Sequence, residues 1–286
     1  EDGDGMTVQT PVACPEAGTP SKSLPRLRYA YQTLRGAIFH FSDSDENPLR
    51  RRLQRVPLLR VPYRHLNFIL SILYEGWWLD PAEEFDYYHR MRLWNFDSAV
   101  EQERHRRSMA VLQPHRSGGD WGDVLEVGCS EGTFTQRIAP FCRSLLACDV
   151  SEIACARARE RCRDRHVEIR NMEIAKEALP GTYDVVFALD VIDVIHGPRQ
   201  VRSVWEKMIA AIKPGGNLVM SSCQLPRGLR SSWWSRTLME GAENHVSFLR
   251  QHRALRVSHC EPYPDPADAA ARPGYLDHLI AVFEKK

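Results

Sequence analysis

Residues 124–132 read Val-Leu-Glu-Val-Gly-Cys-Ser-Glu-Gly, an apolar strand that breaks into a turn punctuated by two glycines and then opens a helix. Val124, Leu125 and Val127 suit a strand covered on both faces. Gly128 lets the chain turn where a Cβ would clash, and Gly132 lets a helix begin close to a ligand. The spacing Gly-x-x-x-Gly is not the Gly-x-Gly-x-x-Gly of a dinucleotide site, and no Lys-Ser/Thr pair follows as a P-loop needs. Glu126, just before the turn, disfavours a pyrophosphate and attracts an ammonium group. A cofactor with a cationic amino-acid end and a nucleoside end satisfies both conditions, and S-adenosylmethionine has that form.

The next ninety residues extend the pattern. Ser144–Asp149 is a second apolar strand ending in an acid, where a ribose diol is gripped in open α/β sheets. Ser151 is the expected N-cap of a helix over 152–163. His166–Arg170 reads as a third strand, Tyr183–Leu189 as a fourth, Gln200–Ile212 as an amphipathic helix and Asn217–Ser222 as a fifth strand. Lys213-Pro-Gly-Gly216 reads as a helix stop and turn between those last two. Strands alternating with helices predict a doubly wound parallel sheet with its ligand across the strand C-termini. Ala254–Tyr263 and Leu276–Glu284 alternate as strands six and seven, joined by a Pro-rich loop over 262–273.

These motifs, in this order, resemble a class I S-adenosylmethionine-dependent methyltransferase over roughly residues 85–286. Within that superfamily the chain is similar to the nodulation protein S (NodS) group, which N-methylates the free amine of a de-acetylated chitooligosaccharide. Trp94 followed by Glu101-x-x-Arg104-His105 carries that likeness, with Phe134-Thr135, Ala139-Pro140 and Gly241-Ala242-Glu243. The resemblance implies an α/β fold: a Rossmann-like seven-stranded methyltransferase sheet with a C-terminal antiparallel hairpin, plus an N-terminal helical extension. The expected division is a disordered tail over 1–24, a helical extension or cap over 25–112 and the S-adenosylmethionine-binding domain over 113–286.

The resemblance also implies roles. Glu126, with Gly128, Cys129 and Gly132, would border the methionine end of the cofactor. Asp149 would accept from the ribose hydroxyls, and Val150 would touch adenine. Met172-Glu173 stands where the family usually has Gly-Asp, so the adenine contact departs from the pattern. Leu189 and Asp190 would face the sulfonium and the acceptor. Trp94 and Arg104 would close the site, Arg104 pairing with the methionine carboxylate. Each has a plainer reading: Glu126 as counter-charge to an Arg, Asp149 as a helix N-cap, Trp94 as core and Arg104 as part of the solvated charged run 101–107.

Composition bounds the partners. The 286 residues hold one large domain, or a domain with a substantial extension. A formal charge of +1 gives no general attraction to nucleic acid or anionic membrane. The eight Cys show no framework spacing and no Cys-x-x-Cys pair. Free thiols in a reducing compartment are the simpler account, and no metal is expected. No stretch reaches the ~18 apolar residues of a membrane span, and no secretory signal is evident, so a cytoplasmic location is expected. The basic patch Arg50–Arg64 suits a surface helix whose Arg stems lie over apolar residues.

For the acceptor, the acid-and-His set after the fourth strand, Asp190, Asp193 and His196, offers candidate catalytic groups. Asp190 and Asp193 would share a face in a helical turn. Trp233 and Trp234 suit the wall of a sugar or aromatic pocket, and His245, on the following helix, is a further candidate base or substrate contact. A small-molecule acceptor carrying an amine on a sugar or related metabolite is the first expectation and an O-methyl acceptor the second. No Asn/Asp-Pro-Pro-Tyr/Phe motif follows the fourth strand, which argues against planar base nitrogens. A non-catalytic scaffold would have no need to keep Glu126, Gly128, Gly132 and Asp149 together.

Overall fold

A computed structural model of the chain describes residues 80–90, 96, 98–113, 120–195, 197–225, 233–239, 241–263 and 278–286. All fall within 60–286, one compact unit. The expected tail over 1–24, the start of the expected extension and the basic patch lie outside the described residues.

Two helices, α1 (Pro81–Arg90) and α2 (Ala99–Ala110), precede the sheet. Then follow β1 (Asp123–Val127), α3 (Thr133–Ile138), β2 (Ser144–Asp149), α4 (Glu152–Arg161), β3 (Val167–Asn171) and β4 (Tyr183–Leu189). A 3₁₀ turn, Ile192–Val194, leads to α5 (Pro198–Ala211), β5 (Ile212–Cys223), α6 (Trp233–Leu238), α7 (Ala242–Gln251), β6 (Leu255–Tyr263) and β7 (His278–Lys285). The strand order is β3-β2-β1-β4-β5-β7-β6. β1 to β5 run parallel, and β7 enters antiparallel between β5 and β6.

The strands are apolar on both sides because helices cover both. Leu125, Val127, Leu146, Cys148, Val186 and Ala188 pack with Trp205 and Met208 of α5 in one cluster. Val124, Leu145, Val185 and Phe187 pack with Trp121, Phe134 and Ile138 in the other. Ser151 caps α4 as expected, its hydroxyl accepting from Ala154 N at 3.1 Å.

One expectation is corrected. Lys213–Gly216 does not stand between helix and strand but lies inside β5. Tyr183 pairs with Ile212 while Val185 pairs with Asn217, so residues 213–216 form an irregularity opposite Asp184. Gly215, at φ 73°, absorbs it, and Lys213 Nζ is tied to Asp123 (2.6 Å) and Asp184 (2.9 Å).

The strand order changes direction at β1, between β2 and β4, which opens a crevice at the C-terminal ends. The turn after β1 is wedged there. Gly128 has φ 76°, and a Cβ on it would stand 2.7 Å from Val191 Cγ2, beyond β4. Gly132 has φ 78°, and its Cβ would stand 3.0 Å from Ala158 of α4. Gly215 has a similar φ with nothing within 4 Å. Gly215→Ala should therefore cost about 1–2 kcal/mol for its backbone alone. Gly128→Ala should cost about 1–3 kcal/mol more for the overlap with Val191. Urea unfolding of both variants checks this, and equal losses would refute the wedge.

Candidate active site

The first side of the crevice is built by β1, β2 and the turn between β1 and α3. Glu126 is 4% exposed, and its Oε2 has no hydrogen-bond partner among the described residues. Burial pushes its carboxyl up to about 8; the nearby Thr135 hydroxyl opposes the shift and the charge of Asp149 adds to it. Buried hydroxyls on Ser130, Thr133 and Thr135 are likewise unsatisfied. Buried polar atoms are normally paired, so this cluster has the chemistry of a cradle awaiting a polar ligand. A buried acid with one unsatisfied oxygen suits an ammonium group that draws it into its ionised form, which fits the methionine end of S-adenosylmethionine.

Asp149 ends β2 on the same crevice. Its Oδ2 accepts from Ser130 N (2.8 Å) and its Oδ1 from Ser151 N (2.9 Å), tying the turn to the second strand. Burial pushes this carboxyl up while those backbone donors pull it back. Each oxygen retains acceptor capacity for a ribose hydroxyl. Val150 and buried Met172 flank it, with Met172 N donating to Asp149 O at 2.8 Å. Glu173 is paired with Lys176 at 2.8 Å. Cys129 is buried in the turn, its amide donating to Cys148 O at 3.0 Å.

Helix α1 closes one corner. Asp86 Oδ1 accepts from Ser151 Oγ (2.6 Å) and Ile153 N (3.2 Å) at the start of α4. His89 Nδ1 lies 3.3 Å from Glu131 Oε1 in the turn, where Arg157 also pairs. His89 holds the Glu131 carboxyl down to about 2, with Arg157 adding to the effect against burial. Local sequence carried no sign of this docking, because its partners lie 42 to 68 positions apart.

The second side is formed where β4, β5 and β7 end or begin. Asp190 has φ 54°, a left-handed backbone that Asp tolerates better than most residues. Its amide donates to Ser221 O at 2.9 Å, and Ser221 Oγ donates back to Oδ1 at 2.7 Å. Arg104 and His278 Nε2 (3.2 Å) both sit on Oδ2. Asp193 accepts from Ser222 Oγ (2.6 Å) and Cys223 N (3.0 Å), with His245 Nε2 3.7 Å away. Burial pushes the Asp193 carboxyl up, but His245 and these two donors outweigh it and hold it below its ordinary value.

Several expected residues are thus brought together and others are not. Glu126, Gly128, Cys129, Gly132, Asp149, Val150 and Met172 surround one turn. Leu189, Asp190 and Asp193 line the neighbouring strand ends. Arg104 is buried, and its charge is met by Glu101 and Asp190. Asp190 and Asp193 both reach β5, yet from a left-handed residue and a 3₁₀ turn rather than one α-helical face. His245 is 1% exposed, wedged between Asp193 and the Trp205 indole, whose Nε1 donates to Nδ1 at 3.4 Å. That places it in the helix–sheet interface rather than on an open wall. Trp233 is 63% exposed at the start of α6. Trp94, His196 and the side chain of Trp234 lie outside the described residues. Ser221, Ser222 and His278 carried no signal of their own, being short polar letters in apolar strands.

The family profile for Nodulation protein S (NodS) matches residues 89–260. The Nodulation protein S of Sinorhizobium fredii is 29% identical over 131 residues, 45% of this chain and 59% of that protein. The chain therefore spans about three fifths of that curated relative's length. A crystal structure of N-methyltransferase NodS from Bradyrhizobium japonicum in complex with S-adenosyl-L-homocysteine matches with a TM-score of 0.54 and 27% identity, over 66% of this chain and 89% of that one. A ubiquinone biosynthesis O-methyltransferase of Methylococcus capsulatus is 27% identical over 160 residues, 52% of this chain and 65% of that protein. With the β3-β2-β1-β4-β5-β7-β6 sheet and the cradle around Glu126 and Asp149, these matches lead to one assignment: the chain belongs to the nodulation protein S family of class I S-adenosylmethionine-dependent methyltransferases.

Proposed function

We propose that the chain transfers the methyl group of S-adenosylmethionine to the amino group of a small molecule, an amino sugar or a related metabolite. In this reading Glu126, with the backbone of Gly128, Cys129 and Gly132, takes the cofactor's amino-acid end. Asp149 takes the ribose diol, and Val150, Met172 and Glu173 border the adenine. Leu189 and Asp190 face the reacting centre. The bound cofactor supplies a carbon already activated by its sulfonium, so the chain's task is chiefly alignment. Helix α1, docked on Glu131, Ser151 and Arg157, and helix α2, which brings Arg104 to Asp190, serve as a cap.

The observation that carries the choice of an amine is the state of the acceptor-side carboxylates. Asp190 and Asp193 already accept from hydroxyl, backbone and cationic donors. Carboxylates so supplied are weak bases. A hydroxyl acceptor needs a firm base, whereas a neutral amine brings its own lone pair. The likeness to a protein named an N-methyltransferase supports the same choice. O-methylation is the second reading, favoured by the likeness to a ubiquinone biosynthesis O-methyltransferase.

Three outcomes test these assignments. Asp149→Ala should weaken S-adenosylhomocysteine binding about tenfold or more, since it removes charge-assisted bonds to two hydroxyls; calorimetry showing unchanged affinity would reject the ribose role. Glu126 is protonated in the empty fold below about 8. Its raised pKa favours the empty fold fully below its ordinary value, an advantage lost as pH rises through about 8. A cofactor ammonium prefers the ionised form, so S-adenosylhomocysteine affinity should climb with pH through about 8, and Glu126→Gln should flatten that climb. Finally, mass spectrometry with isotope-labelled donor should find the label on nitrogen in a panel of amino sugars and phenols. Label on phenolic oxygen alone would favour the second reading.

A further inference from the structure

β7 opens with a histidine that belongs to no expected part of the site. His278 pairs in register with Cys223 of β5 on one side and with Tyr263 of β6 on the other. Its ring is buried, with Nε2 3.2 Å from Cys223 Sγ and 3.2 Å from Asp190 Oδ2. Arg104 of α2 approaches the same carboxylate oxygen, and Asp193 stands close enough for its charge to act on the ring. Asp190 is thus gripped by a guanidinium from one layer, an imidazole from the sheet's closing strand and the Ser221 hydroxyl, on a backbone at φ 54°.

One ring nitrogen faces both a thiol and a carboxylate. With the imidazole doubly protonated, Nε2–H lies between the Asp190 carboxylate and the Cys223 sulfur, both of which favour the charged ring. Once the ring loses its proton, the positive charge beside the Asp190 carboxylate is lost. From this geometry, and resting on the amine-methylation reading above, we infer that His278 is a positioning residue that, with Arg104, locks the Asp190 carboxylate at the acceptor face. Burial disfavours the charged ring and Arg104 opposes it, but Cys223 and Asp193 outweigh both and raise the pKa to about 9. The clamp is therefore complete below the ordinary histidine value and is lost as pH rises through about 9.

The test compares wild type, His278→Gln and His278→Ala. The alanine variant should lose about tenfold in kcat for amine methylation, as expected for a removed charge-assisted bond, with S-adenosylhomocysteine affinity unchanged. The glutamine variant, which keeps a donor without a charge, should recover part of that loss. It should also lack the alkaline fall in kcat that wild type shows through about 9. Wild-type kcat in both variants, or an alkaline fall surviving in His278→Gln, overturns the inference. If the variants fail to fold, NMR of histidine-labelled wild type decides: a His278 ring titrating near 9, lowered in Asp190→Asn, supports the clamp, and titration at the ordinary value sinks it. That titration with no methyl transfer to any amine would leave the clamp standing and reject the amine acceptor.

Discussion

The site depends on how closely β1 leaves the sheet to its neighbours. Gly128 turns against Val191 and Gly132 against Ala158, at distances that leave no room for a side chain. Asp149 fastens the same turn from the next strand through Ser130 N. Because Val191 directly follows Asp190, the wedge that fixes the turn after β1 also fixes where the Asp190 carboxylate begins. The two sides of the crevice are therefore coupled by van der Waals contact and not by a long chain of intermediates.

Four acids share this crevice in two distinct states. Glu126 is buried and Asp149 half-buried, both with acceptor capacity to spare, and desolvation raises both. Desolvation of that kind stores free energy that a donor-bearing ligand releases. Asp190 and Asp193 are instead supplied by Arg104, His278, Ser221, Ser222 and the Cys223 amide. In the proposed function the first pair binds and the second organises. A chain that relies on alignment needs both behaviours and no strong base.

The closing hairpin has a part in this beyond covering an edge. By inserting β7 between β5 and β6, the chain returns residue 278 to the mouth of the parallel sheet, beside Cys223. An all-parallel continuation would have placed the opposite end of that strand there.

The turn after β1 and the acid that ends β2 were legible in the sequence because their signals are local. A strand and two glycines within nine residues, with a helix opening directly after them, define the turn, and runs of apolar letters define β2 and β4, whose bounds match the expected ones. The Lys213–Gly216 segment was misread for the converse reason. Its Pro and Gly are turn letters, yet pairing with β4 on either side draws them into the strand. Arg104 shows the same limit, since its pairing with Asp190 at a strand end joins residues far apart in sequence. His245, a candidate base or substrate contact by sequence, is enclosed by Trp205 and Asp193. Sequence by itself determined the α/β order, the glycine turn and the acids at two strand ends, all set by steric and hydrophobic patterns a few residues long. Tertiary structure alone decided which charges meet: hydrogen bonds and ion pairs act over about 3 Å, and the Arg104–Asp190–His278 group is assembled from three elements that only the folded sheet brings within that reach.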